Sequence, residues 1–386
     1  MKIVMLTNHI VPDKLGGLGR YVGELADDLQ NRGHQVIVLT KRFRRELPAR
    51  EVLSSGVEVR RYETTSRRNP FFAVAYPFSV LRNVRRLLRE VVDAQTVLHA
   101  HYAFPALAIG RRRPFIYTFH APVHKEIISE RGDSYWLPAP LARIAVSAVR
   151  LVEQVVLRRA KRVITLSAFM RAEAESISRP VVGKTTVMPG GLNTDRFSFL
   201  ESGNRAQSSL FTARRLVPRT GVVELVKAMV IVRSAVPDAI LQIAGSGALE
   251  EDLRQLIERL GLRGSVELLG RISELDLIHH YQTSAVSVTP TRELEGFGLS
   301  TAEAMACGSI PLVTPVGANP EVVAGLGDGL CLADGSTPDD IARAIIRLLG
   351  SLDSIDRSRV RARAESWSWD AVGRRMETLY LQASGS

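Results

Sequence analysis

The sequence predicts an α/β protein made of two doubly wound, parallel-sheet domains, and three observations carry that expectation. At 386 residues the chain exceeds what one hydrophobic core usually supports. Short apolar runs alternate with helical periods along nearly its whole length. The alternation breaks once, at the turn-rich stretch PGGLNTDRFSFLESGN (189–204), where the charge balance also changes.

The first domain is expected over 1–188. Residues 2–7 (KIVMLT) and 34–40 (HQVIVLT) are apolar runs flanking a helical pattern at 17–32. Further strands are expected at 57–61, 96–99, 115–119, 162–166 and 185–188, with helices between most of them. Residues 189–204 then read as a linker. The second domain, 205–365, repeats the alternation: strand 208–213, helix 221–234, strand 239–244, helix 248–260, strand 265–268, helix 273–282, strand 285–288, strands 310–313 and 329–332, and helices to about 350. The last segment, 366–386, sets Trp367, Trp369, Val372, Met376, Leu379 and Tyr380 at helical spacing.

Composition narrows the function. Residues 1–190 hold 31 Lys and Arg against 16 Asp and Glu, a net of +15, whereas residues 191–386 hold 20 against 24, a net of −4. A basic half suits an anionic partner such as a phosphorylated substrate or a lipid surface. Nucleic acid is not expected, because the arginines are not interleaved with aromatics. Cys307 and Cys331 lack a second Cys or His at ligand spacing, so buried packing is expected and a metal is not. No uncharged apolar run approaches the roughly 18 residues a membrane span needs. Met1–Thr7 leads into a polar loop rather than a leader-type apolar region, so a cytoplasmic location is expected.

The most informative stretch is TPTRELEGFGLSTAEAMACG (289–308). Glu295 falls in a turn-rich loop with Gly296, Phe297 and Gly298, and Ser300 onward opens a helix that carries Glu303 one turn in. Carboxylates accept hydrogen bonds from hydroxyls, and the free amides of a helix start attract phosphate. A nucleoside diphosphate sugar has that distribution of groups. Ser300-x-x-Glu303 is also a capping box, in which Glu303 would only bond back to the Ser300 amide.

Gly16 and Gly17 open the first helix after a long loop, and the second strand ends in Lys41-Arg42 rather than an acid. That disfavours a dinucleotide fingerprint and leaves either close backbone approach to a phosphate or acceptor, or an ordinary helix start. His120, in YTFHAP, sits at the carboxyl end of a strand, as a wall or a site residue. His99 and His101 read as wall residues. Val80, Leu81, Val84, Leu87, Leu88 and Val91 share one helical face with Arg82, Arg85, Arg86 and Arg89 away from it, after Pro70-Phe71-Phe72. This helix either packs on the sheet or lies on an anionic membrane, and the packed form is favoured.

Taken in order, these features resemble glycosyltransferase family 4, retaining enzymes of the GT-B fold, with two Rossmann-like domains facing a cleft. The resemblance covers almost the whole chain and is weakest over 47–141, where an acceptor would bind. Glu295 and Glu303 match the E-x7-E motif, and FTARRLVPRTG (211–221) matches the segment whose Arg and Lys clamp the donor diphosphate. Arg215 takes the arginine position, while Arg214 stands for the family glycine and Thr220 for the lysine, so Arg214 or Arg219 would have to compensate or turnover would be slow. VMPGGLNTDRF (187–197) resembles the hinge segment, and Gly245-Ser246-Gly247 and GANPE (317–321) resemble turns of the second domain.

The resemblance implies transfer of a hexose-type sugar from a UDP or GDP donor to a hydroxyl of a small-molecule or lipid-linked acceptor. Neither cofactor nor metal is implied. Catalytic roles fall to His120, Glu295 and Arg215; donor contacts to Gly17, Arg215, Thr220, Glu295, Phe297, Gly298, Leu299, Ser300 and Glu303; acceptor contacts to Gly16, Gly17 and His120. The final helix would return to the first domain, and a peripheral contact with the inner face of an anionic membrane stays open. The alternatives are an epimerase or hydrolase of nucleotide sugars, or a weakly active sugar-nucleotide binder on the same fold.

Overall fold

The computed structural model describes residues 1–13, 16–66, 69, 72–129, 139–200 and 205–384. Part of the expected acceptor region, including Pro70 and Phe71, and the end of the expected linker (201–204) lie outside the described residues. The chain divides into two compact units: Met1–His124 with Pro138–Gly191 and Trp369–Ser386, and Lys125–Leu137 with Leu192–Ser368.

In chain order the first unit's elements are β1 (Lys2–Leu6), α1 (Gly17–Asn31), β2 (Gln35–Lys41), β3 (Arg50–Val52), β4 (Glu58–Tyr62), α2 (Phe72–Val91), β5 (Val97–Ala100), α3 (Ala103–Ala106) and β6 (Ile116–Phe119). After α4 (Val123–Ser129), which from Lys125 on is assigned to the second unit, come α5 (Ala139–Arg159), β7 (Arg162–Thr165), α6 (Ala168–Ile177) and β8 (Thr185–Val187) of the first. The eight strands lie in the order β3-β4-β2-β1-β5-β6-β7-β8, parallel except for β3 against β4. β3 was not expected; three residues with two charges carry no apolar alternation to announce a strand.

β1, β2, β5 and β6 are almost wholly buried, as parallel strands covered on both faces must be. On α2, Val80, Val84, Leu87, Leu88 and Val91 pack in the core with Val4, Leu6, Ile37 and Leu39 of the sheet, and the four arginines are exposed. The packed alternative is therefore the one formed, and that apolar face is unavailable to a membrane.

The second unit runs β9 (Ala206–Ala213), α7 (Val222–Ala235), β10 (Ile240–Ala244), α8 (Glu250–Arg259), β11 (Val266–Gly270), α9 (Glu274–Thr283), β12 (Ser284–Thr289), α10 (Leu299–Ala306), β13 (Ile310–Val313), α11 (Asn319–Val323), α12 (Pro338–Leu349) and α13 (Arg357–Glu365). Its parallel sheet is ordered β11-β10-β9-β12-β13. The expected strand at 329–332 does not form: a 3-10 turn holds Gly327–Gly329, glycines 325, 327 and 329 take positive φ, and only Leu332 bridges Val313.

The last helix, α14 (Trp369–Ser384), belongs to the first unit, where Trp369, Val372, Met376 and Tyr380 are buried. Trp369 Nε1 donates to Glu24 of α1 at 2.7 Å. Among the described residues no helix is long and apolar enough to cross a membrane.

Candidate functional site

Open parallel sheets gather loops where the strand order reverses, at the carboxyl ends of the strands. In the second unit that point falls between β9, from which β10 and β11 extend one way, and β12, from which β13 extends the other. The loops after β9 and β12 therefore adjoin, which brings residues some 80 positions apart into contact.

Arg214 follows β9 and is the hub of this contact. Its Nη2 donates to Glu295 Oε2 at 2.7 Å and to Thr291 Oγ1 at 2.7 Å, and its Nη1 to Ser300 Oγ at 3.2 Å. Thr291 Oγ1 in turn donates to Glu295 Oε2 at 2.9 Å. The side chains of Arg214 and Glu295 are 10% and 14% exposed, so the pair is well shielded from solvent. Burial alone would raise the Glu295 carboxyl, but the charge and hydrogen bonds of Arg214, the Thr291 hydroxyl and the Arg219 charge together hold it below its ordinary value. Burial, and after it repulsion from Arg215, pulls the Arg219 guanidinium down from its usual value.

Neighbouring turns fix these loops. The Arg214 amide donates to Ala244 O at 2.9 Å and the Leu216 amide to Ser246 O at 3.1 Å, seating the arginine loop on the turn after β10. A Cβ at Gly245 would lie 1.8 Å from the Arg214 carbonyl oxygen, so only glycine fits that approach. On the other side, the Ala318 amide donates to the Glu295 carbonyl at 2.9 Å, and a Cβ at Gly317 would lie 2.4 Å from that oxygen. The GANPE turn thus backs the Glu295 loop.

The start of α10 differs from the capping-box expectation. Its N-cap is Gly298 in a left-handed conformation (φ 85°, ψ 51°) with no side-chain cap, so Ser300 lies inside the first turn and takes the Arg214 hydrogen bond through its hydroxyl. Glu303 is buried on the same helix at 6% exposure. Phe297 is also buried, its ring edge-on to Trp367 at 5.2 Å, and Leu299 is half-buried. Arg215 is exposed. Thr220 is buried in a 3-10 turn, where its hydroxyl donates to the carbonyls of Arg215 and Val217 at 2.8 and 2.7 Å.

In the first unit the sequence reversal lies between β1 and β5, and loops after β1, β5 and β6 carry Gly16, His101 and His120. Gly16 is the exposed N-cap of α1, with Gly17 exposed at its first position. Tyr21, one turn into α1, stands edge-on to His120 with ring centroids 4.9 Å apart. His120 Nε2 lies 3.2 Å from His101 Nδ1, and His99 bonds Tyr380 OH and Thr118 Oγ1, each at 2.7 Å. Burial drives His99 and His120 down to about 3, with smaller contributions from His120 and His9 respectively, and His101 well below its ordinary value. These imidazoles are neutral at physiological pH, suited to donating or accepting a single hydrogen bond rather than to ion pairing.

The glycine loop is anchored by a pair that sequence reasoning missed. Arg61 of β4 grips Asp13 through a two-pronged contact of 2.7 and 2.9 Å, with side chains 1% and 0% exposed. Thr291 was missed too; its only sequence cue is its place four residues before Glu295. Among the described residues no group of three or more His, Cys, Asp or Glu could hold a metal ion.

Comparison with known proteins covers both units. The model of Glycosyltransferase Family 4 matches residues 15–196, and that of Glycosyl transferases group 1 matches residues 198–367. The glycogen synthase of Mycobacterium tuberculosis is 27% identical over 410 residues, covering 99% of this chain and 95% of the relative. A GDP-mannose-dependent alpha-(1-6)-phosphatidylinositol monomannoside mannosyltransferase of the same species is 27% identical over 97% of each chain. Among solved structures, sucrose-phosphate synthase from Thermosynechococcus elongatus superposes with a TM-score of 0.79 at 20% identity, over 99% of this chain and 98% of that one.

Proposed function

We propose, from the premise that this chain belongs to the GT-B glycosyltransferases of the family 4 and group 1 superfamily, the roles its residues play in hexosyl transfer from a nucleoside diphosphate sugar. The observation that carries the proposal is the junction of the β9 and β12 loops, where cationic side chains, a carboxylate and an uncapped helix start converge. Arg215 and the amides of Gly298, Leu299 and Ser300 hold the diphosphate, Glu303 binds ribose hydroxyls, and Glu295 binds hydroxyls of the sugar. His120, kept neutral by burial, hydrogen-bonds the transferred sugar, and Gly16 and Gly17 give the acceptor close approach to backbone. Thr220 contributes through the turn it stabilises and Phe297 by anchoring its loop, rather than by touching the donor.

The donor carries UDP or GDP, and the likeness to a GDP-mannose-dependent relative supports trying GDP-mannose first. Transfer from UDP-, GDP- and ADP-sugars, measured for the native chain and for Glu303→Ala, tests the reading. Loss of transfer in the variant is expected, and full turnover would overturn it. Incubation of donor without acceptor separates the epimerase or hydrolase alternative, since a transferase leaves most of the donor intact.

A second observation bears on the acceptor and on location. On α5, Ile144, Leu151 and Val155 are 65%, 59% and 36% exposed along one stripe, beside exposed Arg143, Arg150 and Arg158, while the helix's sole acid, Glu153, is buried. An apolar stripe edged by arginines complements an anionic bilayer, which favours a cytoplasmic enzyme working on a lipid-linked acceptor at the membrane face. Co-sedimentation with anionic vesicles at low and high salt tests this: binding weakened by salt is expected, and no binding at low salt removes the lipid reading.

A further inference from the structure

We infer that Arg214, which occupies a glycine position of the family motif, is itself a diphosphate ligand, and that it couples the donor phosphate to Glu295. The inference rests on the donor-site reading above and adds a residue to it.

A guanidinium has five N–H groups. In Arg214 three are used, on Glu295, Thr291 and Ser300, and Nε is buried without a partner. An unpaired charged donor in a largely desolvated position costs free energy unless a ligand completes it. Arg214 Nη1, which has one N–H left over, lies 3.2 Å from Ser300 Oγ in the first turn of α10, where an anion is favoured by the helix dipole. The planar fork is suited to phosphate oxygens in a way a hydroxyl is not. Thr220 cannot serve, because its buried hydroxyl is already committed to two carbonyls.

Transfer breaks the bond from the sugar's anomeric carbon to a phosphate oxygen, and the electron pair leaves on the diphosphate. The acceptor oxygen bonds to the anomeric carbon and its proton passes to the departing phosphate. Negative charge therefore grows on the diphosphate before the proton arrives, and Arg214 and Arg215 are the cations placed to offset it. Because Arg214 Nη2 stays on Glu295 Oε2, the carboxylate that orients the sugar and the phosphate that leaves it share one rigid side chain.

The test uses the full chain with Arg214→Gln and Arg214→Lys, folding being checked by circular dichroism and thermal midpoint. Calorimetry against UDP and GDP, and against uridine and guanosine, reads the phosphate contact without turnover. Arg214→Gln should weaken the bound nucleoside diphosphate about tenfold or more, leave nucleoside affinity unchanged, and lower kcat about a hundredfold. Arg214→Lys should fall between, keeping charge without the fork. Unchanged diphosphate affinity in a folded Arg214→Gln overturns the inference and assigns Arg214 to holding Glu295 alone. A native chain that binds no nucleoside diphosphate at all would instead overturn the donor-site reading, so the two failures are distinguishable.

Discussion

His101 Nδ1 faces His120 Nε2 at 3.2 Å, and burial keeps both rings neutral, so one hydrogen lies between the two nitrogens. His101 Nε2 is buried without a partner. An unpaired acceptor there is cheaper than an unpaired N–H, which favours His101 donating from Nδ1 and His120 accepting at Nε2. The hydrogen of His120 then rests on Nδ1. His101 is in this sense a positioning residue for His120.

The same burial sets a pH dependence. His99 and His120 have folded values near 3, below the unfolded value of about 6.5. Their neutral forms are favoured in the folded state, so the unfolded chain binds more protons below about pH 6.5. Stability is therefore fully present above that pH and is lost as pH falls toward 3, by up to about 1.4 kcal/mol per pH unit for each proton taken up. Urea unfolding at pH 7, 6, 5 and 4 should show the decline, and His99→Gln should flatten it; a pH-independent midpoint over this range would contradict the assignment.

Removing the Asp13 carboxylate should be costly. Arg61 would keep Glu51, bonded at 2.7 Å but 39% exposed, and lose the two-pronged partner that neutralises it in the interior. Breaking a buried pair costs about 3–5 kcal/mol, and the remaining acid places Asp13→Asn toward the lower end. Denaturant titration should also show that Asp13→Asn with Arg61→Leu costs less than the sum of the two single changes. Additivity would mean that the pair carries no coupling.

Tyr380 tests how the last helix is held. Its hydroxyl meets His99 Nδ1 at 2.7 Å in a fully buried setting, so Tyr380→Phe leaves a buried ring nitrogen unpaired. A loss of about 1–3 kcal/mol is expected. Removing Trp369–Ser386 should do more, since it exposes the surface covered by Trp369, Val372, Met376 and Tyr380. Hydrogen exchange should then rise in α1, whose Glu24 loses the Trp369 indole.

Most of the parallel strands were legible because each is a short apolar run, and runs such as 310–313 match their strands. Local signals failed where tertiary geometry decides. Ser300-x-x-Glu303 reads as a cap in isolation, yet the left-handed Gly298 starts the helix two residues earlier. The apolar run at 329–332 reads as a strand, yet the glycines before it turn the chain away. Arg214 could be noticed only as an oddity at a glycine position; its partner Glu295 lies 81 residues on, and Asp13 and Arg61 are 48 apart. No periodicity encodes such pairs. They follow from strand order, which sets the β9 loop beside the β12 loop.

Gly317→Ala tests that scaffold without touching a charged group. Gly317 has φ 62°, and an added Cβ would approach the Glu295 carbonyl oxygen to 2.4 Å and its amide nitrogen to 2.8 Å. Both atoms are backbone and cannot swing aside as a side-chain end could. The left-handed conformation adds about 1 kcal/mol of strain for alanine. The Glu295 loop must therefore shift, and with it the carboxylate that Arg214 and Thr291 hold within hydrogen-bond reach. Displacements near 1 Å in a site of this kind cost about a hundredfold in rate. The variant should keep its circular dichroism spectrum and lose most transfer; a folded Gly317→Ala with native kcat and KM would show that the position of Glu295 does not govern the reaction.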